Sequence, residues 1–184
     1  MDIDKVLRRC RSAIAARELP LRPRSELDLF QDNDVAGERI MLDTCVLIDQ
    51  LQGKLPAAIE ERVLARTVVH SPVVIGEMSF LIGDLDPGHP GTLGAVAAFS
   101  ELLRSIPEHR ILELTSEDTA QGNILAGCMY RQLGYNKESR RKAAQSEAML
   151  AAQASRLGCL LVTRNVADFD RLSQLDPKLR VAFY

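Results

Sequence analysis

The sequence has no tryptophan, and five Phe and three Tyr are its only aromatic residues. None of them falls in an RNA-recognition-type motif, so base stacking is a minor expectation here, with Tyr130 and Tyr135 the only aromatics near a basic run. Cysteine is scarce and scattered. Cys10, Cys45, Cys128 and Cys159 form no CxxC pair, and His70, His89 and His109 lie away from them, which excludes the usual zinc patterns. No apolar run approaches the ~18 residues of a membrane span. The first twenty residues carry charge throughout and do not fit a signal peptide, so the protein is expected to be cytoplasmic, without membrane association. An excess of one charge is also absent, since 23 Lys+Arg against 25 Asp+Glu give a net charge of −2. Any nucleic-acid contact must therefore come from a local patch.

What is present is an ordinary globular composition over 184 residues, 46% hydrophobic and 26% charged, which predicts one folded domain. Ile3, Val6, Leu7, Cys10 and Ile14 recur at spacings of three and four, which predicts an amphipathic helix over 4–17, broken by LPLRPR. Residues 1–38 read as an N-terminal extension, and 39–184 as the main domain. From Ile40 onward short apolar runs alternate with helical stretches, as in βαβ units around a parallel sheet. Strands are predicted at 40–43, 67–70, 110–114, 159–163 and 179–183. Helices are predicted at 45–52, 56–66, 72–82, 92–106, 116–134 and 138–157, with Ser71 as N-cap and Pro72 in the first turn of the third.

Acidic residues fall at revealing places in this pattern. Asp43 closes the first strand, where ligands of open α/β sheets gather, although it could equally be an N-cap. Glu77 stands inside VVIGEMSFLI, where a lone carboxylate costs several kcal/mol unless it is paired, metal-bound or turned to solvent. Glu147 repeats the situation in AAQSEAMLAA, with Gln145 and Ser146 marking a partly wet turn as the alternative. The buried-looking strand LLVT stops at Arg164 and Asn165, followed by Asp168. Two strand ends and two helices thus each deliver an acid. Converging hard oxygen ligands are what Mg²⁺ or Mn²⁺ requires.

These pieces, MLDTCVLID, SPVVIGE, EAMLAAQA and LVTRNVADF, occur in one order over about residues 40–184, and the chain resembles the PIN-domain nucleases, within them the VapC-like toxins of toxin–antitoxin pairs. The resemblance implies a PIN-like α/β fold with a parallel central sheet flanked by helices, preceded by the N-terminal helical extension. It implies that Asp43, Glu77, Glu147 and Asp168 hold one or two divalent cations, Mg²⁺ or Mn²⁺, which activate water for attack on an RNA phosphodiester. A homodimer and a cognate antitoxin protein are implied with it. The family usually has aspartate where this chain has Glu147, and the extra methylene moves the carboxylate by roughly 1.5 Å.

Around these acids Thr44, Thr163 and Asn165 are candidates to orient the carboxylates, plain capping being the alternative for the threonines. Arg131, Lys137, Arg140, Arg141, Lys142 and Arg164 are the candidates for RNA phosphate contact, the alternative being a solvated helix start. A catalytically impaired PIN-like binding module and a PIN nuclease outside any toxin–antitoxin pair are the competing functions. A phosphatase using Asp43 as nucleophile is disfavoured, because a second aspartate is expected two residues on and position 45 is Cys.

Overall fold

Four short aliphatic runs form one sheet: β1 (Arg39–Leu42), β2 (Thr67–Val69), β3 (Leu160–Thr163) and β4 (Arg180–Phe183). The computed structural model describes residues 1–32, 37–134 and 138–184, and the side chains of 138–140 fall outside that description. All pairings are parallel, in the order β2-β1-β3-β4, with Ile40 opposite Leu160 and Leu161 opposite Val181. Every residue of β3 is buried, as a strand covered by neighbours on both edges and helices on both faces must be. The parallel α/β class read from the sequence is what the chain adopts.

The helices are α1 (Ile3–Arg9), α2 (Arg11–Ala15), α3 (Thr44–Leu51), α4 (Ala57–Leu64), α5 (Pro72–Asp84), α6 (Thr92–Ser105), α7 (Ser116–Leu133), α8 (Glu138–Leu157) and α9 (Val166–Leu175). Local chemistry fixes their ends. Ser71 accepts a hydrogen bond from the Val73 amide and Pro72 opens α5. Thr115 and Asp118 form a reciprocal capping box at the start of α7, and Gly134 ends that helix at φ 59°, a left-handed position glycine takes without penalty. Gly122 permits a close approach of α7 to α8: a Cβ there would stand 2.6 Å from the Met149 Cα of α8.

Three expectations change. The strand expected at 110–114 is reduced to a single bridge between His70 and Ile111. The carbonyls that would continue a ladder are taken elsewhere: Leu112 O and Glu113 O accept from Gln153 Nε2, and Glu113 O also accepts from Arg156. The helix expected over 4–17 is split at Cys10 and ends at Ala15, because Arg131 and Gln132 of α7 draw off the carbonyls of Ile14 and Ala16. The helix α9, absent from the sequence reading, is signalled by Val166, Phe169, Leu172 and Leu175 three residues apart.

Residues 1–32 pack into the same core as the sheet. Val6, Cys10, Ala13, Leu19 and Phe30 are buried with Ile40, Leu161 and Phe169. Arg22 donates to the fully buried Asp170 through both its backbone amide, 2.9 Å, and its Nε, 2.5 Å. The Phe183 amide of β4 donates to Asp28 O at 2.8 Å, so this segment continues the sheet beyond its last strand. Among the described residues, no helix is long and apolar enough to cross a membrane.

Candidate active site

The crevice beyond the carboxyl ends of β1 and β3 is where helices α3 and α9 begin, and it is bounded by α5 and α8. A cavity of about 770 Å³ opens there, lined among others by Asp43, Thr44, Cys45, Glu77, Glu147, Arg164 and Asn165. Asp43 occupies the N-cap position of α3 but its side chain makes no cap bond. Instead, Oδ2 of this buried carboxylate accepts from Thr163 Oγ1 at 2.6 Å and from Cys45 Sγ at 2.9 Å. Burial and the neighbouring Asp43 charge push the Cys45 thiol up to about 12, so it stays protonated and donates.

Glu77 comes from the middle of α5. Thr44 donates to its Oε2, and Ser146 of α8 also bonds it. Burial raises the Glu77 carboxyl above its ordinary value, Asp43 adds to the rise, and the two hydroxyls oppose it. Thr163 serves two groups at once: its hydroxyl donates to Asp43 and accepts from the Asn165 amide at 2.9 Å. Asn165 then joins the remaining acids, its Nδ2 donating to Glu147 Oε1 at 2.7 Å and to Asp168 Oδ2 at 3.1 Å. The chain of contacts runs Asp43, Thr163, Asn165, then Glu147 and Asp168. The strand end and two helix faces are locked to one another by side chains that carry no charge.

Glu147 registers the crowding most strongly. Burial first, then the charges of Asp168, Asp43 and Glu77, push its carboxyl up to about 9. At neutral pH it therefore holds a proton that the other acids would otherwise repel it for losing. The donor set of Asp43, Glu77, Glu147 and Asp168 is all hard carboxylate oxygen, which suits Mg²⁺ or Mn²⁺ and not a soft or imidazole-preferring ion. In the side-chain positions described, no three His, Cys, Asp or Glu groups converge to hold a metal ion among the described residues. Each carboxylate is turned toward a hydroxyl, thiol or amide, and rotation of those side chains is what common ligation requires.

Of the basic candidates, Arg164 and Lys142 line the cavity. Arg131 does not reach it, because its guanidinium is spent on the carbonyls of Ile14 and Ala16. Arg141 lies over the Tyr130 ring, 5.9 Å from its centroid, and lines a separate cleft with it. Tyr135, Lys137 and the Arg140 side chain lie outside the described residues. One carboxylate was not singled out from the sequence. Asp49 of α3 is buried and its Oδ2 accepts from Arg164 Nε and from the Tyr184 hydroxyl, both at 2.9 Å. An acid inside the apolar run CVLID was the available signal, the same one that marked Glu77.

The arrangement defines the class of domain: a PIN-like α/β fold with an acidic crevice at the carboxyl ends of its central strands. Among solved structures it is similar to a chain of VapBC2 from Rickettsia felis bound to a DNA fragment from their promoter, with 15% identity and a TM-score of 0.55, covering 79% of this chain and 98% of that chain. DNA-bound VapBC from Salmonella typhimurium gives 19% identity and a TM-score of 0.54 over 79% and 98% of the two chains. FitAcB from Neisseria gonorrhoeae gives 17% and 0.54 over 79% and 96%. No family model matches the sequence, and no curated protein matches it. The likeness is thus one of fold, shared with chains of the VapBC and FitAB complexes.

Proposed function

We propose that the protein is a divalent-metal-dependent endoribonuclease that hydrolyses RNA phosphodiester bonds, and the toxin of a toxin–antitoxin pair. One observation carries this: Asp43 from a strand end and Glu77 and Glu147 from two helices line one cavity, and burial, then the charges of Asp168 on α9, Asp43 and Glu77, push the Glu147 carboxyl up to about 9. A structural acid cluster without a ligand is costly, whereas a cation makes it favourable. Asp43, Glu77, Glu147 and Asp168 would hold Mg²⁺ or Mn²⁺, which when bound supplies an activated water and positive charge against the phosphate.

The chain's own groups do the rest. Thr44 orients Glu77, Thr163 orients Asp43, and Asn165 clamps Glu147 against Asp168. Arg164, held at Nε by Asp49, and Lys142 are the cations that line the cavity and would meet a phosphate. A cognate antitoxin protein as inhibitor and a homodimer as the functional form are part of the proposal, and the toxin–antitoxin part is supported by the fold shared with VapBC and FitAB chains.

The test is cleavage of single-stranded and structured RNAs by antitoxin-free protein with Mg²⁺ or Mn²⁺, against chelator and against Asp43→Asn and Glu77→Gln. Each substitution removes a ligand charge and little volume. Metal-dependent cleavage lost in both, with melting in chelator unchanged, is the expected result. Absence of cleavage by the folded protein with either metal refutes the nuclease and leaves a binding module.

A further inference from the structure

The acidic cavity has a second, apolar half that holding carboxylates does not require. On α5, Pro72, Val73, Gly76, Glu77 and Phe80 all line it. These positions share one face of the helix. Phe80 is 70% exposed, one turn past Glu77. Gly76 stands one turn before Phe80, in mid-helix, where glycine is the least favourable residue after proline. A Cβ at Gly76 would meet nothing within 4 Å, so no neighbour demands its absence. Its effect is to leave the helix face flat between Glu77 and the Phe80 ring. Ile48, Leu81, Leu114 and Met149 complete the apolar wall, while Lys142 and Arg164 line the same cavity.

We propose that Gly76 and Phe80 form a slot for an unstacked nucleobase of single-stranded RNA, adjacent to the phosphodiester held at the carboxylates. The inference rests on the nuclease proposal and names its substrate class. An exposed aromatic ring beside a flat floor offers a π-face that every base can stack on, and a cavity of about 770 Å³ is in the range that encloses a small-molecule-sized group. Duplex RNA cannot use the slot, because its bases are already stacked and its deep groove is closed to side chains. A single strand satisfies both halves of the cavity, with phosphates for Lys142 and Arg164 and a base for Phe80. An apolar protein segment would engage the wall alone.

The experiment measures binding of a fluorescent single-stranded RNA by anisotropy with Mg²⁺ present, with Asp43→Asn as common background so that cleavage does not consume the probe. Phe80→Ala should weaken binding about tenfold, and Phe80→Trp should retain it. Gly76→Leu should weaken binding to a similar degree without lowering the melting temperature, since leucine favours the helix and has room. A 2-aminopurine walked along the strand should change emission at one position with Phe80 or Trp present and not with Ala. Duplex RNA should bind more weakly and ignore all three substitutions. Unchanged single-strand affinity in Phe80→Ala and Gly76→Leu overturns the slot, as does duplex binding equal to single-strand binding. Self-association broken by Phe80→Ala, in a protein that binds no RNA, makes the surface a contact for a second copy and overturns it too. The two proposals fail separately: Asp43-dependent cleavage with no effect at Phe80 and Gly76 removes only the slot, and Phe80-dependent binding without any cleavage removes only the nuclease.

Discussion

Gly122→Ala is expected to damage both stability and the site, because of where its methyl group would go. A Cβ at Gly122 would lie 2.6 Å from Met149 Cα, 2.7 Å from Met149 N and 2.9 Å from Ala148 C. Ordinary contacts start near 3.4 Å. The three atoms are backbone, so none can rotate away and α8 must retreat from α7 by about 0.8 Å. Overpacking of this kind costs ~1–3 kcal/mol or more. The gain in helix propensity from glycine to alanine, about 1 kcal/mol, offsets part of it. With three rigid backbone contacts the cost falls at the upper end of that range, and the net loss of about 2 kcal/mol lowers the melting temperature by roughly 4–8 °C for a chain of this size. Gly127 provides the control: it lies on the same helix, and a Cβ there meets nothing within 4 Å. Gly127→Ala should therefore raise the melting temperature by a few degrees. Activity should fall in Gly122→Ala as well, because Glu147 immediately precedes the displaced backbone, and a misplacement near 1 Å can cost about 10²-fold. The assay is a paired thermal melt and RNA cleavage measurement. Equal stabilisation by both alanines would refute the contact and the reasoning built on it.

Other outcomes follow from the same geometry. Glu147 binds its proton more tightly folded than unfolded, so the metal-free protein should lose stability as pH rises from about 4.5 toward the value of about 9. Melting in chelator from pH 5 to 9 should show this fall in the natural protein and a flatter curve in Glu147→Gln. Mg²⁺ at a hundred times its Kd should add about 2.7 kcal/mol, or roughly 5–10 °C in melting temperature, and a metal effect undiminished in Asp43→Asn would count against the ligand set. Asp49→Asn keeps an acceptor for Tyr184 but loses the ion pair that holds Arg164, so KM for RNA should rise several-fold with kcat little changed. The same KM in Arg164→Ala and in the double variant would show that Asp49 acts through that arginine. Glu147→Asp should preserve or raise cleavage if the shorter arm suits the ion, and a large loss would show that the longer one is needed to reach Asn165.

The parts of this molecule that announce themselves in sequence are those where one residue decides the outcome. Ser71-Pro72 fixes the start of α5, and the aliphatic runs ending in Asp43 and Thr163 fix β1 and β3. Glu77 stands out because its neighbours are apolar. What the sequence hides is competition between distant groups. The stretch 110–114 is apolar enough for a strand, yet Gln153 and Arg156 on α8 claim its carbonyls. Arg131 looks like a phosphate ligand until Ile14 and Ala16, far earlier in the chain, are seen to occupy it. Phe80 and Gly76 read as core helix, and only the packing of α5 against α8 leaves them facing open space.

The sheet order has a consequence for how the protein comes into being. β1 pairs with β2 on one edge and with β3 on the other, so Asp43 meets Thr163 only across 120 positions of chain. Asp28, near the beginning, accepts its hydrogen bond from Phe183 of β4. Contacts of such long range close late in folding. During synthesis, a ribosome that has produced Asp43 and Glu77 has made two acids of the crevice without the strand that aligns them. The crevice is thus incomplete until β3 has emerged, and the N-terminal segment has no sheet edge to rest on until β4 follows.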